Sequence, residues 1–518
     1  MRWFSLLWCF VSVLSFGQPA FINWSEDNRD HTSLVSLMPV NGMDFYAFRR
    51  NYSGLITTPR VVSYKQGLEE ARMRIEEQVT QNAATLEDVI YFGGKLVVFL
   101  SDLQDGYNNL YMVTYDQDMQ PTGEESLLAS YPVAGIFRKK GNFYVVVSDN
   151  GKFFSVEYSI PAKRDEYEYF GYRVVNDQFQ IVQQGERELP YRSRLMSIDT
   201  RYLSENGEYF IGLSIFTSSD FGIWRDYSSL EKTVVMHVDT SGLKPFVLQL
   251  DNRKVYDFEL TVLDSNLFVT GTYGLPFSAG AKGFFFQKIN IESAKIERES
   301  LQEFPPDVLE QEQVRNRFNE RMRGDFSFQS RLNDELMNYA FRGIHPQQDG
   351  SVVVVAEQFY IYQTSSSDGR GLTQTVNHYY YNDLLIYKID SIGAIAWLKR
   401  VPKTQHSVND YGYYSSMVSV DVNGSIHCFF NDHSMNYNES GVYDQNFREV
   451  SFPMRPRNYV LAEVILDPQT GDMLRSIKGR HEETNGFVVL KLSAWHKSKR
   501  QLLFYANGAR ERFGLLQF

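Results

Sequence analysis

Tight turns followed by short apolar runs recur along this 518-residue chain, and they constrain its fold more than any other feature. The runs are rich in valine, phenylalanine and tyrosine, and Asn-Gly and related pairs supply the positive φ angles that hairpin turns require. The eight turns are Asn41-Gly42, Gly93-Gly94, Gly141-Asn142, Asn206-Gly207, residues 264–266, Asp349-Gly350, Asn423-Gly424 and Lys497–Lys499. The pattern predicts eight β-hairpins distributed over the whole chain.

A second series interleaves with the first, in which an apolar strand ends in an aspartate or asparagine before another turn. Its members are Asp116, Asp177, Asp239, Asn290, Asp390 and Asp467. We assign these side chains to turns rather than to a ligand set, because a short carboxylate at a strand end satisfies its own turn backbone. Each unit then has four strands, which we name A to D, and four-strand repeats of roughly 50 to 80 residues are typical of a β-propeller.

The spacing predicts an all-β fold with eight four-stranded blades, and seven blades are the alternative. The predicted blades begin near Ser33, Asp88, Gly135, Leu195, Glu259, Tyr339, Ser415 and Gly486. The last unit has only three strands of its own. We expect residues 20–24 to supply its outer strand, since pairing the two chain ends closes the ring and removes an open edge.

The first 17 residues have the features of a secretory signal peptide. Arg2 provides a positive charge, an apolar segment runs from Trp3 to Phe16, and Gly17 offers a small residue at the cleavage site. We therefore predict a mature chain of residues 18–518 forming one propeller domain, exported to the periplasm, the cell surface or the medium. Cys428 is the single cysteine of that mature chain.

Composition narrows the classes of partner. The chain is 43% hydrophobic and 15% aromatic, which excludes a disordered polymer, and its net charge is −11 at pH 7. An acidic surface repels phosphate backbones, so nucleic acid is not an expected partner. No segment after the signal peptide has the length of a transmembrane helix.

One stretch, at about 305–335, departs from the strand pattern. Pro305-Pro306-Asp307 is a helix-start signal, and Val314, Phe318 and Met322 recur every four residues. This spacing predicts a small helical insertion between blades five and six.

Propeller topology separates the short turns from the long connections. A–B and C–D turns lie on one face of the ring, and B–C connections lie on the other. Long B–C loops are predicted at 217–232, 361–382 and 434–457, and binding residues are often placed on such loops.

The candidate binding residues on this face combine aromatic rings with amide, carboxylate and imidazole groups, which suit a glycan or an extended peptide. They are His378, Tyr380, Tyr381, Asn382, Tyr413, Tyr414, Asn431, Asp432 and His433. The alternative is that the tyrosines pack between blades and that His433 only forms hydrogen bonds within its loop.

Motifs for nucleophilic, metal-dependent or nucleotide-dependent catalysis were not found, so no catalytic residue, metal or cofactor is predicted. The leading hypothesis is a non-catalytic binding or scaffold propeller that recognises a glycan or protein ligand through long B–C loops. The alternative is a carbohydrate-active enzyme of the glycosidase or lyase type, because such propellers draw acidic residues from several blades. Carboxylates from several blades that converge on the mouth of the channel at the centre of the ring would favour this alternative.

The block from Arg342 to His433, through its segments 380–387, 397–405, 413–416 and 430–433, resembles a group of uncharacterised secreted proteins of Gram-negative bacteria. The resemblance covers about a fifth of the chain and implies a bacterial envelope or extracellular setting. That group has no assigned activity, so the resemblance implies no catalytic residue.

Overall fold

The structure is a computed structural model that describes residues 21–53, 56–133, 141–160, 166–218, 229–276, 281–306, 309, 339–367, 373–444, 448, 450–451 and 456–518. The predicted signal peptide at 1–17 and most of the predicted loop at 217–232 lie outside these ranges. The predicted insertion at 305–335 also lies outside them, apart from 305–306 and 309. At its start the Leu309 amide donates to the Pro305 carbonyl at 3.3 Å.

The strands group into blades in chain order. Strand β1 (Ile22–Trp24) precedes blade 1, which contains β2 (Ser33–Asn41), β3 (Asp44–Ser53), β4 (Ile56–Lys65) and β5 (Leu68–Arg74), followed by a short hairpin of β6 (Gln78–Val79) and β7 (Asn82–Ala83). Blade 2 contains β8 (Thr85–Phe92), β9 (Lys95–Gln104), β10 (Tyr107–Tyr115) and β11 (Ser126–Pro132). Blade 3 contains β12 (Phe143–Val147), β13 (Phe153–Ile160), β14 (Tyr167–Asn176) and β15 (Ile181–Arg192). Blade 4 contains β16 (Met196–Leu203), β17 (Tyr209–Phe216), β18 (Leu230–Val238) and β19 (Leu243–Leu248).

The second half follows the same plan with additions. Blade 5 contains β20 (Lys254–Leu263), β21 (Asn266–Gly274), β22 (Gly283–Asn290) and β23 (Ile296–Glu303). Blade 6 contains β24 (Tyr339–Pro346), β25 (Val352–Ser367), β26 (Thr373–Ile389) and β27 (Ile395–Val401), and is followed by β28 (Gln405–Val408). Blade 7 contains β29 (Met417–Val422), β30 (Ser425–His433), β32 (Tyr459–Leu466) and β33 (Met473–Arg480), with β31 (Val450–Ser451) between its second and third strands. Blade 8 contains β34 (Gly486–Val488), β35 (Ala494–His496), β36 (Gln501–Gly508) and β37 (Glu511–Gln517). The described helical segments are α1 (His481–Thr484) and 3-10 turns at Ser193–Leu195, Ser434–Asn436, Pro456–Asn458, Leu490–Leu492 and Lys497–Lys499.

The described strands form eight antiparallel blades, each with its strands paired in chain order. This confirms the predicted all-β propeller with eight four-stranded blades. In blade 8, β34 and β35 are two pieces of one inner strand, since both pair with β36 and the turn at Leu490–Leu492 separates them.

The chain ends close the ring as predicted. Strand β1 pairs with β37 in the register Ile22 to Leu516, Asn23 to Leu515 and Trp24 to Gly514. Gly514 permits this close approach, because a Cβ atom there would lie 2.7 Å from side-chain atoms of both Ile22 and Trp24. The N-terminal strand is therefore the outer strand of blade 8.

The apolar core is divided into clusters that lie between neighbouring blades. Phe92, Phe99 and Phe154, for example, join blades 2 and 3. Corresponding clusters join every other neighbouring pair, including blade 8 with blade 1 through Tyr505 and Phe45. Burial of apolar surface between blades thus stabilises the ring.

The first strand of each blade faces the ring axis. The inner strand β16 is half-buried along most of its length, whereas its neighbour β17 is fully buried. Seven of the eight predicted A–B turns join the expected strands. Gly141-Asn142 is the exception: it precedes β12, and the A–B turn of blade 3 is formed by 148–152. The Gly141-Asn142 pattern therefore did not identify which strands are joined by the A–B turn of blade 3.

The predicted B–C loop at 361–382 is wrong in its secondary structure. Residues up to Ser367 belong to β25 and residues from Thr373 belong to β26, so this segment is a hairpin that continues the blade. Its tyrosines and threonines favour extended backbone. The segment 434–457 contains short elements, namely the turn at Ser434–Asn436 and strand β31.

Candidate functional site

The B–C hairpin of blade 6 extends the sheet of this blade beyond its four-stranded part, and we call the extension the arm. The arm consists of residues 359–367 of β25, residues 373–381 of β26, and strands β28 and β31. Strand β28 pairs with β26 from His378 to Tyr381, and β31 adds to β28 in parallel. The arm therefore gives blade 6 a second set of paired strands beyond its four-stranded core.

One face of the arm carries a row of aromatic side chains, which we call the ring row. Tyr360, Tyr380 and His406 are directly paired across three strands, and their rings stack with centroid distances of 4.8 and 4.5 Å. His378 stacks on His406 at 5.3 Å, and its Nδ1 lies 3.1 Å from Nε2 of His406. All four side chains are half-buried. The predicted residues His378 and Tyr380 thus belong to one organised surface.

Tyr381 and Asn382 lie elsewhere, although they follow Tyr380 directly. Successive side chains of a strand point to opposite faces, and Tyr381 is only 5% exposed. Its hydroxyl accepts a hydrogen bond from Lys491 Nζ at 2.8 Å, and desolvation raises its pKa to about 12. Asn382 is buried and donates to Gln358 Oε1 at 3.2 Å. Both residues are enclosed by the fold.

Tyr413 and Tyr414 pack against blades 8 and 1. Their rings meet edge to face at 4.9 Å, and Tyr414 also contacts Phe487 at 5.1 Å. Tyr413 packs on the core that joins blades 8 and 1, and burial raises its pKa to about 12. These two tyrosines therefore occupy the packing position that was the alternative interpretation.

Asn431, Asp432 and His433 form the last residues of β30. Asn431 donates to the Tyr414 and Val488 carbonyls at 2.9 and 2.7 Å. Asp432 is 2% exposed and accepts hydrogen bonds from Arg475, the Tyr437 hydroxyl and Asn436.

His433 caps the following 3-10 turn by accepting the Met435 amide at 3.1 Å, and desolvation lowers its pKa. The hydrogen bonds of this polar triplet join blade 7 to its own loop and to blade 8.

A large cavity lies at the ring axis, where the propeller prediction implied a channel, but the residues that line it were not predicted from the sequence. It encloses about 1360 Å³ and is lined by the inner strands and A–B turns of blades 3 to 8, so we call it the axial cavity. The turn series does mark its rim, because every A–B turn lies at the same end of the axis. The sequence could not show which inner-strand side chains meet there.

Two of the carboxyl groups that line the axial cavity, on different blades, have raised pKa values. Glu259 of β20 is half-buried, and Asp149, in the A–B turn of blade 3, is exposed to the cavity. Desolvation, together with the nearby Asp257 and Asp149 carboxylates, raises the pKa of Glu259 to about 7. Desolvation also raises the pKa of Asp149, against the effect of Lys497. Glu259 is therefore partly protonated near neutral pH.

Several other polar groups of the axial cavity have partners within the protein. His345 Nε2 lies 3.1 Å from Ser419 Oγ, and burial lowers the pKa of this histidine to about 4. Gln347 donates to Asp421 at 3.0 Å. Lys497, from the A–B turn of blade 8, forms an ion pair with Glu205 of blade 4 at 2.8 Å. This contact crosses the cavity rim between distant blades.

Within the described ranges, no helix has the length and apolar character needed to cross a membrane. No cluster of three or more His, Cys, Asp or Glu side chains suitable for a metal ion was found among the described residues.

No family model and no curated protein matches this chain. It is similar to the WD40 domain of SCAP from fission yeast, with 10% identity, a TM-score of 0.40, and coverage of 96% of this chain and 94% of that one. It is also similar to the β-propeller domain of Nup133 from Vanderwaltozyma polyspora, with 10% identity, a TM-score of 0.38, and coverage of 82% and 91%. The polysaccharide lyase Uly1 matches with 9% identity, a TM-score of 0.38, and coverage of 83% and 89%. The fold assignment above follows from the strand order and register of the chain itself.

Proposed function

We propose that this chain is an exported, non-catalytic binding propeller that recognises a neutral glycan with the ring row of the arm. The observation that carries the proposal is the alignment of Tyr360, Tyr380 and His406 across three strands, with His378 stacked beside them. A propeller blade needs four strands, and blade 6 already has them. The additional paired strands of the arm are therefore a feature that folding of the ring does not require.

The chemistry of the ring row favours a glycan. The described side chains on this face include no carboxylate, lysine or arginine, so a charged partner would find no counter-charge. Tyrosine hydroxyls and imidazole nitrogens both donate and accept hydrogen bonds, as sugar hydroxyls do. Thr364, whose hydroxyl lies 3.2 Å from His378 Nε2, adds another such group. Pairing on rigid strands also limits the entropy lost on binding.

The test is a binding measurement with purified protein and a panel of neutral oligosaccharides. We expect His378→Ala and Tyr380→Ala each to weaken binding at least about tenfold, which corresponds to about 1.4 kcal/mol. Tyr107→Ala in blade 2 is the matched control, since it removes an exposed tyrosine remote from the arm. Wild-type affinity in both arm variants would contradict the proposal. Binding of a peptide panel in place of the oligosaccharides would assign the arm to a protein ligand.

Export is the second part of the proposal and is supported by the sequence of residues 1–17. Expression in a Gram-negative host should yield a periplasmic or secreted chain beginning near Gln18. An intact Met1 terminus on cytoplasmic protein would contradict it.

A carbohydrate-active enzyme is the second candidate, and the axial cavity favours it. Asp149 and Glu259 come from different blades, and a carboxyl group with a pKa near 7 suits a general acid. Release of shortened chains from a polysaccharide, reduced at least about 100-fold in Glu259→Gln, would support this candidate. Unchanged polysaccharide after long incubation with the wild type would exclude the substrates tested.

A further inference from the structure

Most buried carboxylates among the described residues have a cation of their own, and Asp102, which accepts a hydrogen bond from Asn109, is an exception. Six of them form ion pairs with lysine or arginine inside the described fold. These pairs are Glu157 with Arg201, Glu357 with Lys403, Asp383 with Arg400, Asp432 with Arg475, Glu463 with Lys478, and Glu511 with Arg49. The pattern agrees with the high cost of burying an uncompensated charge.

Glu259 departs from this pattern. It lines the axial cavity, and no lysine, arginine or hydrogen-bond donor among the described residues pairs with its carboxyl group. The charged groups that act on it are the carboxylates Asp257, on the same strand, and Asp149, from blade 3. Both disfavour its ionised form. The fold therefore leaves this half-buried acid of the cavity without a lysine or arginine partner among the described residues.

The cations that line the cavity are engaged with other groups or lie at its rim. Arg342 pairs with Glu357 at 2.8 Å, and Lys497 pairs with Glu205. Arg500 lies at the rim, in the turn that follows Lys497. None of these cations lowers the pKa of Glu259.

The other acids of the cavity are satisfied within the protein. Asp349 pairs with Lys388 at 3.1 Å, Asp421 accepts hydrogen bonds from Gln347 and the Gly424 amide, and Asp467 accepts the amides of its own turn. The wall between blades 3 and 5 is therefore the electronegative part of the cavity.

We propose that the axial cavity binds a ligand carrying a primary ammonium group, with Glu259 and Asp149 as its counter-charges. The ammonium would supply Glu259 with a cation of the kind that the six ion-paired carboxylates have from the fold itself. Tyr202, on the inner strand of blade 4, also lines the cavity, and an aromatic ring beside a cation adds attraction. The proposal goes beyond recognition by the arm, because the arm and the cavity open on opposite faces of the ring.

An organic ammonium agrees with this wall better than a metal ion. The described residues contain no cluster of three metal-ligating side chains, whereas an ammonium needs only two or three acceptors. Amino sugars and lysine side chains both carry the required group. The cavity volume of about 1360 Å³ admits either source.

The experiment measures binding of glucosamine trimer and of trilysine to the mature protein by calorimetry, each against its fully N-acetylated form. Acetylation removes the charge and keeps the rest of the ligand. We expect the amine of one or both sources to bind at least tenfold more tightly than its acetylated form. The stronger of the two sources identifies the ligand class.

Two variants test the residues. Glu259→Gln should weaken amine binding at least tenfold, and Asp149→Asn should weaken it in the same direction. Glu292→Gln, at an exposed turn of blade 5, is the matched control and should bind as the wild type does. The melting temperature of each variant establishes that it is folded. If Glu259→Gln does not fold, Asp149→Asn alone is used to test the proposal.

Trilysine acetylated only at its α-amino group keeps a constant side-chain charge between pH 6 and pH 8, because lysine side chains titrate near pH 10.4. Its affinity should therefore rise over this interval with release of a proton, and Glu259→Gln should remove the rise. Equal binding of amine and acetylated ligands, or wild-type affinity in both acidic variants, would overturn the proposal. Cleavage of an uncharged glycan that Glu259→Gln abolishes would assign Glu259 to the second candidate function and also overturn it. His378→Ala should leave amine binding unchanged, which separates this test from that of the arm.

Discussion

The buried ion pair between Glu357 and Lys403 gives a quantitative test of how blade 6 is joined to blade 7. Both side chains are at most 1% exposed, and Lys403 Nζ lies 2.7 Å from Glu357 Oε1. Glu357 also accepts hydrogen bonds from Arg342 Nε at 2.8 Å and from Ser416 Oγ at 2.7 Å. Arg342 is in the inner strand of blade 6, and Ser416 directly precedes that of blade 7. The carboxylate therefore connects two blades with the segment between them.

Glu357→Gln keeps the volume of the side chain and removes its charge. Lys403 would retain the Tyr381 carbonyl at 3.0 Å and Gln405 at 3.1 Å, but its buried ammonium would lose the carboxylate with which it forms its ion pair. Removing one partner of a buried ion pair costs about 3–5 kcal/mol. The entropy of unfolding, about 2.1 cal/mol/K per residue, converts this cost into a fall in melting temperature of about 3–5 °C for a chain of roughly 500 residues.

The assay is thermal and urea unfolding of the mature protein, followed by circular dichroism. Glu297→Gln is the matched control, because its ion pair with Lys288 lies at the surface and should contribute less than about 1 kcal/mol. Adding Lys403→Met to Glu357→Gln should recover at least half of the loss, since it removes the stranded charge. A Glu357→Gln shift no larger than that of the control, or no recovery in the double variant, would refute the reasoning.

Three further predictions concern the closure, a turn and the pH dependence of stability. Removal of residues 18–24 should lower the melting temperature or cause aggregation, because it exposes the edge of β37, and an unchanged scanning-calorimetry curve would contradict this. Oδ1 of Asp390 accepts the Ile392 and Ala394 amides at 3.0 and 2.8 Å. In urea unfolding, Asp390→Asn should therefore leave the free energy of unfolding nearly unchanged, and Asp390→Ala should lower it by about 1 kcal/mol. Equal losses in the two variants would exclude the turn role. The pKa of Glu259 rises on folding from 4.5 to about 7, so its contribution to stability is complete below pH 4.5 and is lost as the pH rises through 7. The free energy of unfolding of Glu259→Gln, measured relative to the wild type, should therefore be higher at pH 8 than at pH 5, by at most about 3 kcal/mol. Equal urea midpoints of variant and wild type at both pH values would disprove this prediction.

Features that depend on neighbouring residues were predictable from the sequence. A turn dipeptide and the apolar run after it act over fewer than ten residues, so hairpins such as that at Asn423-Gly424 could be placed directly. Their number determined the count of blades. The missing strand of the last blade then predicted the pairing of Ile22–Trp24 with the C-terminal strand.

The tertiary structure alone decided which polar side chains face solvent, the protein interior or the axis. Tyr380 and Tyr381 are adjacent in sequence, yet Tyr380 belongs to the ring row and Tyr381 is buried. Successive side chains of a strand point to opposite faces of the sheet, and the elements packed on each face decide which of the two is buried. From the sequence, Asp432 was a candidate ligand-binding residue. In the structure it forms a buried ion pair with Arg475, which is 43 residues away in the chain. The shared cavity of Asp149 and Glu259 could not be predicted either. Contacts between blades join residues that are far apart in sequence, so no short segment of sequence contains both residues.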